Sequence, residues 1–207
     1  MLTADDLLAA YRGGYFPMAD NRNAKELYWY SPEHRGIIPL DGFHVPRSLQ
    51  KFMRHCPYEV TFDTAFTQVI QNCADVKTER RKDTWINDEI IALYGELHER
   101  NFAHSVECWK DKKLVGGLYG VSIGGAFFGE SMFSFATNAS KIALIHLVDK
   151  LRAAGYILLD TQYINEHLLQ FGVIEIAREN YLEILENALK VSPNPSMRFL
   201  IASDIIS

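Results

Sequence analysis

The run from Leu114 to Ser134, LVGGLYGVSIGGAFFGESMFS, constrains the fold more than any other part of the chain. It holds six glycines, four aromatics and one carboxylate, Glu130. Two apolar, strand-length stretches meet at Gly124-Gly125, and a Gly-Gly between such stretches predicts a β-hairpin. Glycines inside the strands leave room for another backbone or a ligand to come close. Glu130 sits among Phe127, Phe128, Met132 and Phe133, where a carboxylate is costly to bury unless a polar or cationic group meets it. Its bland alternative is a place at the solvent edge of the hairpin.

The flanking sequence extends this hairpin into a sheet. His104–Trp109 reads as the preceding strand, with a turn at Asp111-Lys112. Asn138 starts a helix that runs to about Ala153 and stops at Gly155, and Tyr156–Asp160 follows as a buried strand. Upstream, Thr3 and Asp6 have capping-box spacing for a first helix that stops at Gly13-Gly14. Tyr15–Met18 is extended, Arg35–Pro39 is a short strand, and Ser48 caps a helix to about His55. Tyr58–Phe62 alternates as a strand, and Thr64 and Asn87 cap two further helices. Glu166–Gln170 is a short helix, Val173–Ile176 a strand and Arg178–Lys190 a helix. Several consecutive antiparallel strands, a helix and another strand predict an α+β fold. A small N-terminal lobe, 1–56, is expected to precede a main domain, 57–207.

Composition narrows the class. Of the 207 residues 48% are hydrophobic and 23% charged, as in an ordinary globular protein, and no apolar run approaches a bilayer span. The acidic start, Met1-Leu-Thr-Ala-Asp-Asp6, lacks the features of a secretory signal. Cys56, Cys73 and Cys108 are odd in number and have no ligand spacing, so they read as buried thiols in a reducing compartment. These features predict a cytoplasmic protein that uses no membrane, metal or cofactor. A formal charge of -5 argues weakly against nucleic acid. Basic residues nonetheless gather at Arg47, Lys51 and Arg54 and again at Arg80, Arg81 and Lys82, and distribution outweighs the sum.

Asp160 and Gln162 stand at the carboxyl end of the buried strand, where open sheets place ligand groups. A strand-end acid is equally often a cap or loop anchor. Trp85, in Thr84-Trp-Ile86, is either core or a platform for a planar ring. His104 and Glu107 fall on opposite strand faces and do not form one acid–base pair. There is neither a P-loop nor a strand followed by GxGxxG.

Thr84-Trp-Ile, His104-Ser-Val-Glu, Leu114-Val-Gly-Gly, Phe127-Phe-Gly-Glu-Ser-Met-Phe-Ser, Asn138-Ala-Ser-Lys, Leu159-Asp-Thr-Gln and Tyr181-Leu together resemble the leucyl/phenylalanyl-tRNA–protein transferase family. Leu7-Leu-Ala-Ala-Tyr-Arg-Gly-Gly-Tyr-Phe-Pro and Tyr30-Ser-Pro-Glu-His-Arg extend the resemblance, which spans about 2–190. It implies a GNAT-like acyltransferase domain, and transfer of Leu, Phe or Met from aminoacyl-tRNA to proteins with N-terminal Arg or Lys, marking them for degradation. It implies Gln162, Asp160 and Glu130 as catalytic residues and Trp85 as the holder of the terminal adenosine. Leu118, Phe127, Leu147 and Leu159 fall where the family lines the pocket for the transferred side chain. Tyr94 is included with the substrate-binding residues. Met18 stands where the family often has Trp, Leu147 where an aromatic can occur, and the lobe is shorter than in many members. The two basic groups are expected to meet tRNA phosphates, and the chain to work as a monomer.

An aminoacyl ester is already activated, so its aminolysis needs positioning more than a strong base. The expected division of labour has the Gln162 amide oxygen aligning the amine and Asp160 fixing the Gln162 amide, with Glu130 orienting amines. The proton leaves through the tRNA ribose hydroxyl or water. An acetyl-CoA-dependent GNAT acetyltransferase is the rival enzyme, but it needs a Gly-rich pyrophosphate turn. The segment Ser134-Phe-Ala-Thr-Asn-Ala-Ser140 has no glycine. The non-enzymatic rival is a tRNA- or degron-binding module.

Overall fold

The computed structural model describes residues 2–75 and 83–194. Helix α1, Ala4–Arg12, opens with the expected capping box: Asp6 N–H donates to the Thr3 hydroxyl while the Thr3 N–H donates to the Asp6 carboxylate. It buries Leu7, Leu8 and Tyr11. Next, β1 (Phe16–Ala19) and β2 (Leu27–Tyr30) pair as a separate antiparallel ribbon. Strand β3 (His34–Ile38) leaves the ribbon and enters the main sheet.

Helix α2 (Arg47–Met53) starts behind Pro46 without a side-chain cap, so Ser48 lies inside it and does not cap it. Strand β4 (Glu59–Phe62) and helix α3 (Phe66–Asp75) follow. The Thr64 hydroxyl near the start of α3 is engaged with Thr61 and Glu107. Asn87 caps α4 (Asp88–Glu99) by accepting from the Ile90 N–H, as its position predicts. Strands β5 (Ala103–Lys110), β6 (Lys113–Ile123) and β7 (Ala126–Ser134) form the expected meander, turning at Asp111-Lys112 and Gly124-Gly125. Helix α5 (Ala139–Ala154) ends on left-handed Gly155 and crosses over to β8 (Leu158–Gln162). The chain continues through α6 (Glu166–Leu169), β9 (Ile174–Ala177) and α7 (Arg178–Lys190).

The seven strands run in the order β4-β5-β6-β7-β8-β3-β9. Every pair is antiparallel except β7–β8. A parallel pair needs a crossover, and α5 supplies it. This is the expected α+β architecture. One apolar layer is built from α1, α3, α4 and α7 against one sheet face, the other from α2, α5 and α6 against the opposite face. Residues before Pro57 thus contribute α1, the ribbon and α2 outside the sheet, and one strand within it. No described helix is long and apolar enough to cross a membrane.

Candidate active site

The parallel pair is short. Ala126–Phe128 faces Leu158–Asp160, and beyond that point β7 continues without β8. The β6–β7 register slips at the same level, pairing Gly120 with Gly129 and Tyr119 with Ser131. Glu130 is therefore the extra residue of a β-bulge, the device by which a strand re-aims a side chain. Gly120 permits the close approach: a Cβ there would lie 2.3 Å from the Phe128 carbonyl. A cavity of about 550 Å³ opens where the strands part. Its apolar wall comes from Leu118, Met132, Leu144, Leu147 and Leu159, and its polar lip from Thr161, Asn165, Glu166 and His167. Glu130 lines it too.

Three groups hold the Glu130 carboxylate. The Tyr11 hydroxyl donates to Oε1 at 2.6 Å, the Tyr94 hydroxyl to Oε2 at 3.2 Å, and the Gln162 Nε2 to Oε1 at 3.1 Å. Tyr11 and Tyr94 hydroxyls also contact each other. Desolvation pushes the Glu130 carboxyl up to about 7, against the pull of the Tyr11 and Tyr94 hydrogen bonds, and the like charge of Asp160 adds to the rise. Burial, foremost, and the Glu130 charge hold both phenols well above their usual range.

Asp160 is fully buried. It accepts from Arg35 Nε at 3.0 and 3.1 Å and from Arg35 Nη2 at 2.7 Å. The Tyr181 hydroxyl donates to it at 2.7 Å, and the Gln162 backbone N–H at 2.7 Å. Arg35 is buried as well, yet its pKa is raised: burial opposes the charge and Asp160 outweighs burial. The arrangement corrects one expectation. Asp160 holds the Gln162 main chain, and Glu130 holds the Gln162 amide. An ionised carboxylate only accepts hydrogen bonds, so the amide nitrogen faces Glu130 and the amide oxygen points elsewhere.

Glu130, Asp160 and Gln162 thus form one connected group, although only Glu130 lines the cavity. Leu118, Leu147 and Leu159 line it as well. Phe127 does not: it is fully buried in the layer behind that wall. Tyr94 stands behind Glu130. Trp85 and Met18 are half-buried against the opposite apolar layer and do not line the cavity. Arg47, Lys51 and Arg54 are exposed on and just after α2; Arg80, Arg81 and Lys82 lie outside the described residues. His104 meets Asp63 at 2.8 Å, while Glu107 accepts from Ser105, Thr61 and Thr64, so the two carry different first partners.

Sequence reasoning missed Tyr11, Arg35, Tyr181, Met132 and Leu144 as site residues. Tyr11 carried a weak signal, being a buried-face tyrosine in the first helix; a charged Arg35 in an apolar strand carried another.

A family model described as "Leucyl/phenylalanyl-tRNA protein transferase" matches residues 37–186, and one for that family's N-terminal domain matches residues 1–33. The leucyl/phenylalanyl-tRNA–protein transferase of Hyphomonas neptunium is 57% identical over 187 residues, 90% of this chain and 72% of that protein. The Caulobacter vibrioides protein of the same name is 58% identical over 90% of this chain and 86% of its own length. Among solved structures, L-PGS from Bacillus licheniformis aligns with 88% of this chain and 62% of that chain, at 14% identity and a TM-score of 0.39. That likeness is too low to carry an argument.

Proposed function

The chain belongs to the leucyl/phenylalanyl-tRNA–protein transferase family, and from that premise we propose how its cavity carries out the transfer. The protein is an aminoacyltransferase that moves an aminoacyl group from tRNA to a protein. In this reading the donors are Leu, Phe and Met, the acceptors carry N-terminal Arg or Lys, and the product is an N-degron. The enzyme acts as a cytoplasmic monomer. The single parallel pair parting around a cavity supports a GNAT-like assignment for the main domain, with residues 1–56 as a lobe that completes the site.

The donor side chain occupies the apolar wall of Leu118, Met132, Leu144, Leu147 and Leu159. Each methylene in such a pocket discriminates by about 1–3 kcal/mol, which favours long side chains unbranched at Cβ, and aromatic ones, over small ones. The acceptor amine enters from the lip of Asn165, Glu166 and His167 and meets Glu130. An α-amine has a reference pKa of about 7.7–8.0, so a useful fraction is neutral near pH 7. One amine hydrogen bonds to Glu130 and the other to the Gln162 amide oxygen, leaving the lone pair for the ester carbonyl carbon. The C–N bond forms, the C–O bond to the ribose breaks, and an amine proton passes to the ribose oxygen directly or through water. Trp85 stacks on the terminal adenosine, and Arg47, Lys51 and Arg54 meet phosphates.

The observation carrying this reading is the Gln162 Nε2–Glu130 contact, which sets the amide beside a carboxylate that lines the apolar cavity. Incubation with Phe-tRNA and an Arg-terminated reporter peptide tests it by mass spectrometry of the peptide. Wild type is expected to add one Phe, and Gln162→Ala to slow the addition by about a hundredfold without weakening tRNA binding. No product with wild type, or normal rates with Gln162→Ala, would overturn the reading.

A further inference from the structure

Gln162 has φ +63°, a left-handed conformation unusual for a residue other than glycine. The Tyr163 N–H donates across it to the Thr161 carbonyl at 2.7 Å. An i to i+2 hydrogen bond around a positive φ is the rarer, strained form of γ-turn, which persists only where its surroundings over-determine it. Those surroundings come from one dipeptide on the neighbouring strand, Arg35-Gly36.

Gly36 pairs directly with Gln162, and the register slips between Gly36 and Ile37. A Cβ on Gly36 would lie 2.8 Å from the Tyr163 carbonyl carbon and 2.9 Å from the Thr161 hydroxyl, so only glycine leaves room for the turn. Arg35 acts from the other side. Its guanidinium lies between the Phe16 and Tyr181 rings, 4.4 and 4.6 Å from their centroids, and Nη1 donates to the Gly14 carbonyl at 3.1 Å. With its position fixed by these contacts, it donates to both carboxylate oxygens of Asp160, whose Oδ1 accepts the Gln162 N–H. No described hydrogen bond joins Asp160 to the Gln162 side chain.

We propose that Arg35 is a positioning residue for the transfer reaction: with Gly36 and Tyr181 it holds Asp160 as a main-chain clamp, which keeps Gln162 in the γ-turn that brings its amide to Glu130. Asp160 then serves through geometry and relays no charge to the Gln162 side chain. The inference rests on the transfer reading above and assigns it a scaffold. It also explains why the turn after α1 contributes a carbonyl deep in the site: Gly14 fixes the guanidinium that fixes the turn.

The test uses the full chain with Phe-tRNA and the Arg-terminated peptide. Tyr181→Phe removes one donor to Asp160 and keeps the ring over Arg35, so the fold is retained; Arg35→Lys keeps the charge and loses the planar fork. Gly36→Ala crowds the turn directly. The clamp predicts kcat losses of about tenfold for Tyr181→Phe and about a hundredfold for the other two, with KM for Phe-tRNA within about twofold of wild type. The midpoint of the pH–kcat profile should stay in place in Tyr181→Phe, whereas a charge-relaying Asp160 deprived of a donor would move it. Unchanged kcat, a loss confined to KM, or a moved midpoint in folded Tyr181→Phe each overturns the clamp. Should Arg35→Lys or Gly36→Ala not fold, Tyr181→Phe decides alone. Absence of transfer by wild type would instead refute the functional reading.

Discussion

Glu130→Gln separates the charge of the cavity carboxylate from its shape. In the wild type, desolvation and then the Asp160 charge raise the folded-state pKa from the ordinary 4.5 to about 7, against the phenol hydrogen bonds. The folded protein consequently binds more protons than the unfolded chain between about pH 4.5 and 7, and stability falls as pH rises through that window. At about 1.4 kcal/mol per pKa unit the full penalty is about 3 kcal/mol, present above pH 7 and absent below about pH 4.5. Most of it, about 2–3 kcal/mol, accrues between pH 5 and pH 8. Tyr11 and Tyr94 are held protonated across this range, so they add nothing to it. Urea unfolding of both proteins at pH 5 and pH 8 measures the effect, because the wild-type-minus-variant difference cancels every other titrating group. The variant should gain about 2–3 kcal/mol relative to wild type on going from pH 5 to pH 8, and lose activity all the same. Its new amide can turn an N–H toward Gln162, drawing the Gln162 oxygen inward and away from the amine, at a cost of about a hundredfold in rate. Parallel stability curves for the two proteins, or a wild type that gains on the variant as pH rises, would refute the account of Glu130.

Leu118→Trp fills the apolar wall and should lower Phe transfer by tenfold or more while Phe-tRNA binding, measured by filter retention, holds; equal Phe transfer would remove Leu118 from the donor pocket. Replacing Arg47, Lys51 and Arg54 together with Gln should weaken tRNA binding and reduce the slope of log affinity against log salt by about 2–3, at roughly 0.9 per phosphate contact. An unchanged slope would move the tRNA path away from α2.

Most local chemistry was legible from neighbouring residues, the Ser48 cap being the exception. The Thr3–Asp6 box, the Asn87 cap, the Gly124-Gly125 turn and the Gly155 stop need only a few consecutive side chains, and each appears as read. Glu130, Asp160 and Gln162 were legible as one group because the strand-end position and the family pattern pointed the same way. What the sequence concealed is non-local. Arg35 meets Asp160 across 125 residues, and Tyr11 meets Glu130 across 119. Nothing in the local pattern of 34–38 says that β3 inserts between β8 and β9. The bulge at Glu130 was equally hidden, because a one-residue slip leaves the apolar alternation on either side intact while exchanging its faces.

The two irregularities solve a geometric problem that regular strands could not. Side chains on a strand alternate between faces, so an apolar wall in the α5 layer and a carboxylate held by tyrosines of α1 and α4 belong to opposite sides of the sheet. A continuous β7–β8 ladder would seal one side from the other. Ending the ladder after three residue pairs opens a passage through the sheet, the bulge aims Glu130 into it, and the γ-turn at Gln162 swings an amide to the same point from the other strand. Each device costs stability: an extra unpaired residue, a left-handed glutamine, and a carboxyl held far from its preferred charge state. Costs of this kind survive only where the surroundings enforce them, and here Gly120, Gly36, Arg35 and Asp160 do so from both flanks. If Glu130 and Gln162 act as proposed, the sheet's broken hydrogen-bond ladder serves the transfer, and restoring regular pairing at 129–131 is expected to yield a more stable protein that no longer transfers.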